Sequence, residues 1–146
     1  MNPFKHLIEL SLFLSITLIL ACNTTKSAKQ PATPLDPYMT FETPLYDFGT
    51  IKKGEKRTHV FKFTNTGVED VSIELVSGCH CTELEWPEMK TFKPGESGEI
   101  KATFDSMKED VLGPHEKVID ILLVNTKPTN GYQVIKEAKY KFVLVE

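Results

Sequence analysis

Arg57-Thr-His-Val-Phe-Lys-Phe-Thr64 sends His59, Phe61 and Phe63 to one side and Val60, Lys62 and Thr64 to the other. Side chains two apart share a face only in an extended chain, so this octapeptide is expected to be a half-buried β-strand. The same period of two runs outward in both directions. Met39-Thr-Phe41 and Tyr46-Asp-Phe48 precede it as short strands, and Val71, Ile73 and Leu75 follow it. Ile100, Ala102 and Phe104 then alternate against Glu99, Lys101 and Thr103, and a last pair spans Val118 to Asn125 and Ala138 to Val145, with Tyr140, Phe142 and Leu144 on one face.

Turn chemistry separates these runs. Lys52-Lys-Gly-Glu55, Asn65-Thr-Gly67, Pro94-Gly95 and Asn130-Gly131 fall between them. Proline presets φ and glycine accepts positive φ, so Pro94-Gly95 suits the centre of a type II turn. About seven short strands with a turn every 8 to 12 residues or so imply an all-β fold, an antiparallel β-sandwich of immunoglobulin type. Without the widely spaced cysteine pair of antibody domains, packing alone is expected to hold the two sheets.

The N-terminal quarter reads differently. Leu10-Ser-Leu-Phe-Leu-Ser-Ile-Thr-Leu-Ile-Leu-Ala21 is apolar, follows Lys5, and ends at Cys22. At about a dozen residues it is shorter than the ~20 a spanning helix needs, and it fits a secretory signal that is removed. Ile19-Leu20-Ala21-Cys22 resembles the cleavage box of bacterial lipoproteins. That resemblance implies lipidation of Cys22 and an anchor of two or three acyl chains, since a single chain holds only marginally. The expected organisation is a signal peptide over 1–21, a lipid-anchored tether over 22–37 and the sandwich over 38–146. The tether, Asn23 to Pro37, is polar and proline-bearing and spans roughly 20 Å as a coil. The expected location is the cell envelope, on the periplasmic or surface side; Asn23 after the anchor leans toward the outer membrane.

Composition limits the partners. A net charge of −3 leaves no basic footprint for nucleic acid. The expected partners are the membrane, through lipid on Cys22, and a protein of the envelope; oligomeric state is not legible. No catalytic constellation stands out, and neither a cofactor nor a metal site is assigned. Gly95-Glu-Ser-Gly98 is followed by Glu99 and is no nucleophile elbow, so Ser97 is read as a turn residue. Asp47 is read as a turn organiser, Trp86-Pro87 as a lid on the core and Lys108-Glu-Asp110 as a solvated loop.

Several blocks keep an order that resembles one family. They are Tyr46-Asp-Phe-Gly-Thr-Ile51, Gly54-Glu55, Phe61-Lys-Phe-Thr-Asn-Thr-Gly67, Cys79-His-Cys-Thr82, Pro94-Gly-Glu96 and Phe104-Asp-Ser106. Together they are similar to the bacterial "domain of unknown function 1573" family. The resemblance implies an exported, commonly lipid-anchored protein with an immunoglobulin-like domain similar to the ASPM, hydin and major sperm protein type. It implies no common activity. In that family the block at Cys79 usually reads Cys-Gly-Cys-Thr; His80 stands here in place of the glycine.

Cys79, His80 and Cys81 form the candidate site. In a straight strand, residues two apart have Cα atoms ~6.6 Å apart, at the outer limit for a disulfide. A bond between Cys79 and Cys81 therefore needs a bend, which Gly78 is placed to supply. The plain reading is two small cysteines lining the sandwich at a strand end, with or without a local bond. A soft-metal site for copper or zinc needs further ligands, such as His59 or His115. A thiol-redox site is the third reading. The sequence supports a non-catalytic binding or assembly module, with thiol or metal handling in the envelope as the alternative.

Overall fold

Alternation over Arg57–Thr64 becomes a strand of ten residues. The computed structural model describes residues 36–146; the signal, Cys22 and nearly all of the expected tether lie outside them. Nine strands follow in order: β1 (Met39–Phe41), β2 (Leu45–Lys52), β3 (Lys56–Asn65), β4 (Val71–Ser77), β5 (Thr82–Glu85), β6 (Thr91–Phe92), β7 (Ser97–Asp105), β8 (Gly113–Thr126) and β9 (Gln133–Val145). They form two sheets, ordered β1-β3-β7-β5 and β2-β9-β8-β4-β6.

The inner faces explain why the two layers meet. Phe61 and Phe63 of β3, Ile100, Ala102 and Phe104 of β7, Ile119, Ile121 and Leu123 of β8, and Tyr140, Phe142 and Leu144 of β9 are all buried. Edge-on aromatic contacts join them: Phe41 to Phe63 at 6.0 Å, Phe63 to Phe92 at 4.9 Å and Phe48 to Tyr140 at 5.4 Å between ring centroids. Offset and edge-to-face arrangements are the ones the ring quadrupole favours.

Most neighbours are antiparallel, as expected, but β2 runs parallel to β9. A period of two is common to both pairings, so the pattern alone does not separate them. Within that pair the register shifts between Asp47 and Thr50. Gly49 takes φ +69°, and Asp47 Oδ1 accepts from Gly49 N at 2.8 Å, so Asp47 organises the chain there as expected. A second irregularity moves Leu75 outward. Ile73 faces Leu123 while Leu75 faces Leu122, so β4 carries one extra residue, Val76 takes the buried position and Leu75 is 48% exposed.

The turns follow their residues. Glu96 N donates to Lys93 O at 2.8 Å with Gly95 at φ +81°, the geometry of a type II turn with Pro94 and Gly95 at its centre. Ser97 departs from its expected place in that turn. It opens β7, paired with Thr64, and the two hydroxyl oxygens lie 2.8 Å apart. Glu109 departs from the solvated-loop reading: it is largely buried, ion-paired to Lys117, and held below the usual carboxylate range chiefly by that lysine's hydrogen bond.

Candidate functional site

β4 and β5 belong to different sheets, and the chain crosses between them through Gly78, Cys79, His80 and Cys81. Thr82 N donates to Cys79 O at 3.0 Å, closing a four-residue turn with His80 and Cys81 at its centre. This turn shortens the Cys79–Cys81 Cα separation to 5.1 Å, and the two are joined by a disulfide. The bend comes from the turn itself. Gly78 is not among the glycines of positive φ, and a Cβ there would make only ordinary contacts. Neither His80 nor Cys81 has positive φ, so the turn does not require a glycine where His80 stands.

The two sulfurs have unequal surroundings. Cys81 is 1% exposed and belongs to the core, Cys79 is half-buried, and His80 projects at the exposed apex. Thr82 Oγ1 lies 3.2 Å from Cys79 Sγ and 3.8 Å from Cys81 Sγ. The same hydroxyl is hydrogen-bonded to Tyr140 OH, which lies 3.9 Å from Cys79 Sγ. Tyr140 is wholly buried against Phe48 and Phe104. Burial pushes its phenol up to about 12, only partly offset by Thr82, so it remains an O–H donor at neutral pH.

His59 and His115 are not brought to this turn as ligands. His59 stacks on Tyr46, with ring centroids 3.7 Å apart, and meets the edge of Phe61. His115 stacks on Phe142 and contacts Val111 O through Nε2 at 2.7 Å. Among the described residues no group of three or more His, Cys, Asp or Glu side chains is arranged to hold a metal ion. Trp86 packs partly buried against the core, as expected of a lid.

Sequence reasoning missed two hubs inside the motif blocks. Asn65 is 1% exposed; its Nδ2 donates to Glu69 O at 2.7 Å and Phe92 O at 2.9 Å, and its Oδ1 accepts from Gly67 N at 2.9 Å. Ser106 is fully buried, and its hydroxyl donates to Glu55 O at 2.7 Å, with Lys52 O at 3.1 Å. A polar residue closing an apolar strand run was the available signal, because buried polar groups persist only with partners. Thr82 and Tyr140 were also missed as partners of the sulfurs.

His59 carries a pH dependence. Its Nε2 is the one buried side-chain nitrogen or oxygen without a hydrogen bond among the described residues, and desolvation lowers the ring's pKa. The unfolded chain, with a histidine pKa of ~6.5, therefore takes up the proton first. Stability is full above that value and falls as pH drops from it toward the lower folded pKa. Urea titrations at pH 7.5 and pH 5.5 are expected to show the loss, and His59→Phe is expected to reduce it. An unchanged loss in that variant assigns the dependence elsewhere.

The sequence profile described as "Protein of unknown function (DUF1573)" matches residues 39–137. No curated protein matches the chain. Among solved structures the chain is similar to an ASH/PapD-like domain of human CEP192 (PapD-like domain 7), at 12% identity and TM-score 0.57, covering 82% of this chain and 96% of that one. It is also similar to a protein of unknown function from Porphyromonas gingivalis W83, at 20% identity and TM-score 0.57, covering 73% of this chain and 46% of that one. A third likeness is to the VesB protease of Vibrio cholerae, at 10% identity and TM-score 0.54, covering 73% of this chain and 32% of the protease. These likenesses establish a PapD-like, immunoglobulin-like fold and carry no activity with them.

Proposed function

We propose that this chain, which belongs to the DUF1573 family, is a lipid-anchored, non-catalytic binding module of the cell envelope that holds a protein partner on the outer face of its five-stranded sheet. The observation that carries the reading is an apolar row where polar residues are the rule. Leu75 of β4, Leu122 of β8 and Ile135 of β9 are consecutive cross-strand neighbours on that face. Ile135 is 57% exposed, and Val124, two residues along β8 from Leu122, is 56% exposed. The solvated face of an antiparallel sheet usually alternates to polar, and a contiguous exposed apolar patch marks an interaction site.

Charge around the row describes the partner. The next row holds Asp120 opposite Glu137, and Glu74 and Glu88 border the apolar cleft formed with Trp86, Met89 and Val124. Lys139 pairs with Glu137 at 3.3 Å, and Asp120, Glu74 and Glu88 are the carboxylates left to favour a protein with an apolar centre and basic margins. A lipid on Cys22 and the tether after it raise the local concentration of the domain near such a partner.

Photo-cross-linking in cells tests the reading, with the probe placed at Val124 or, as a control, at Lys101 on the other sheet. Leu75→Lys with Ile135→Lys is expected to lower the cross-linked yield from Val124 at least about tenfold, the scale of losing ~1.4 kcal/mol of binding, with circular dichroism unchanged. Mass spectrometry of the mature N-terminus is expected to show acylated Cys22. Equal yields from both sheets refute the assigned face, and an unmodified chain starting elsewhere refutes the anchor.

A further inference from the structure

We propose that the Cys79–Cys81 pair is a thiol–disulfide exchange site, acting on an accessible dithiol of another protein, in which Cys79 is the sulfur the partner meets and Cys81 is the sulfur held back in the core. The inference is independent of the apolar face on the five-stranded sheet. Three observations carry it. First, the bond spans two residues. The chain entropy a disulfide removes from the unfolded state grows with the loop it closes, so a staple here holds almost nothing. Second, exposure is unequal: Cys79 is half-buried next to the exposed His80, whereas Cys81 is 1% exposed. An incoming thiolate therefore reaches Cys79 first.

Third, a hydroxyl chain ends on the accessible sulfur. Thr82 Oγ1 is 3.2 Å from Cys79 Sγ and hydrogen-bonded to Tyr140 OH. When the Tyr140 hydroxyl donates to Thr82 Oγ1, the Thr82 hydrogen is left to point at Cys79 Sγ. A disulfide sulfur is a weak acceptor and a thiolate a strong one, so this contact strengthens as the bond is cleaved. Tyr140, buried and protonated at neutral pH, keeps the hydrogen that this arrangement uses. Thr82 and Tyr140 are positioning residues.

The exchange balances without a further reagent. A partner thiolate attacks Cys79 Sγ, the Cys79–Cys81 bond breaks, and its electron pair leaves on Cys81 Sγ, which takes up a proton. The partner is now joined to Cys79 by a mixed disulfide. The partner's second thiolate attacks its own first sulfur, the mixed bond breaks, and the pair leaves on Cys79 Sγ, where the Thr82 hydroxyl stabilises the thiolate until it is protonated. The partner dithiol has lost two electrons and two protons to become a disulfide, and Cys79 and Cys81 have gained them as two thiols. The reverse sequence starts from the Cys79 thiolate, with Cys81 as the resolving thiol.

Alkylation kinetics test this on the full chain in detergent, with Cys22→Ser as background so that the pair holds the remaining thiols. With Cys81→Ser, iodoacetamide is expected to modify Cys79 along a pH profile displaced below the ordinary ~8.5 of a free cysteine, and at pH 7 at least about tenfold faster than Cys81 is modified in Cys79→Ser. Thr82→Val is expected to return the Cys79 profile toward the ordinary value, and Thr82→Ser to retain the displacement. The disulfide-bearing chain, folded by circular dichroism, is expected to form a mixed disulfide on Cys79 when incubated with glutathione and quenched with acid. An ordinary pH profile at Cys79, equal rates at the two cysteines, or a bond that glutathione opens only in denaturant would each overturn the proposal. Partner capture at Val124 is read in a separate experiment, so the failure of either idea leaves the other standing.

Discussion

Asn65→Leu is expected to lower the unfolding free energy by about 3–5 kcal/mol, a large part of the 5–15 kcal/mol or so typical of a single domain. Leucine keeps the branching of asparagine but is bulkier, so no cavity opens and the loss combines stranded hydrogen-bond partners with some overpacking at this buried position. Asn65 Nδ2 serves Phe92 O and Glu69 O, and its Oδ1 serves Gly67 N. The side chain thereby ties the end of β3 to the loop before β4 and to β6. After substitution the Phe92 carbonyl stays buried without this partner, and each stranded group of that kind costs about 1–3 kcal/mol. The backbone of Asn65 adds to the junction, its N–H donating to Glu96 O at 2.9 Å and its carbonyl accepting from Gly95 N at 2.8 Å. These bonds remain in the variant, so a folded protein with a lower urea midpoint and an unchanged slope is the expected result.

Asn65→Asp sharpens the test through the sign of its pH dependence. A carboxylate at this position faces two carbonyl oxygens in a buried site, which raises its folded pKa above the ordinary ~3.9. A raised acid contributes stability that is fully present below the unfolded pKa and is lost as pH rises through the folded one. The Asn65→Asp difference from the native chain is therefore expected to shrink on acidification, whereas the native chain loses stability in that direction through His59 and the lowered carboxyls of Asp36 and Glu109. Loss below about 1 kcal/mol in Asn65→Leu, or a pH-independent deficit in Asn65→Asp, would show that solvent reaches these carbonyls.

Legibility followed the physics of each element. Phe61 and Phe63, Ile100 to Phe104 and Tyr140 to Leu144 were readable because β3, β7 and β9 have one inner and one outer face over many residues. Leu75 misled because alternation assumes unbroken pairing, and the extra residue in β4 reverses the faces after Ile73. The parallel course of β2 was invisible because its partner, β9, lies at the far end of the chain. β5 and β6, of four and two residues, are too short for a period to register. At the candidate site, residue type singled out Cys79 and Cys81, yet their bond depends on a turn angle the spacing does not fix. Tyr140, 58 residues beyond Thr82, reaches it only because two sheets face each other. The apolar row of Leu75, Leu122 and Ile135 exists only once register is known, since each residue alone is unremarkable in its own strand.

Gly98→Ala is expected to destabilise the domain by about 2–4 kcal/mol, at or above the usual range for forcing extra volume into a packed core. Away from a clash, alanine in place of a strand glycine stabilises by about 0.4–1 kcal/mol, because it narrows the unfolded ensemble. The sign of the change is therefore decided by packing. Gly98 lies on β7 directly opposite Phe63, two residues before the inward Ile100. A Cβ there would fall 2.5 Å from Phe63 Cζ, 2.5 Å from Phe92 Cε1 and 2.8 Å from Phe92 Cζ. Both rings are fully buried and meet edge to face, so neither moves without displacing the other. Shortening one ring tests this account directly: in Phe92→Leu the added methyl is expected to cost at least about 1 kcal/mol less than in the native chain, a coupling of the size found between residues in contact. Gly49→Ala is the control for backbone strain, because Gly49 has open space around it and φ +69°, so its cost of about 1 kcal/mol should be unaffected by Phe92→Leu. If Gly98→Ala is neutral or stabilising in thermal unfolding, or if its cost is the same with and without the Phe92 ring, then the two rings do not close over this glycine and the junction of β3, β6 and β7 is looser than these distances require.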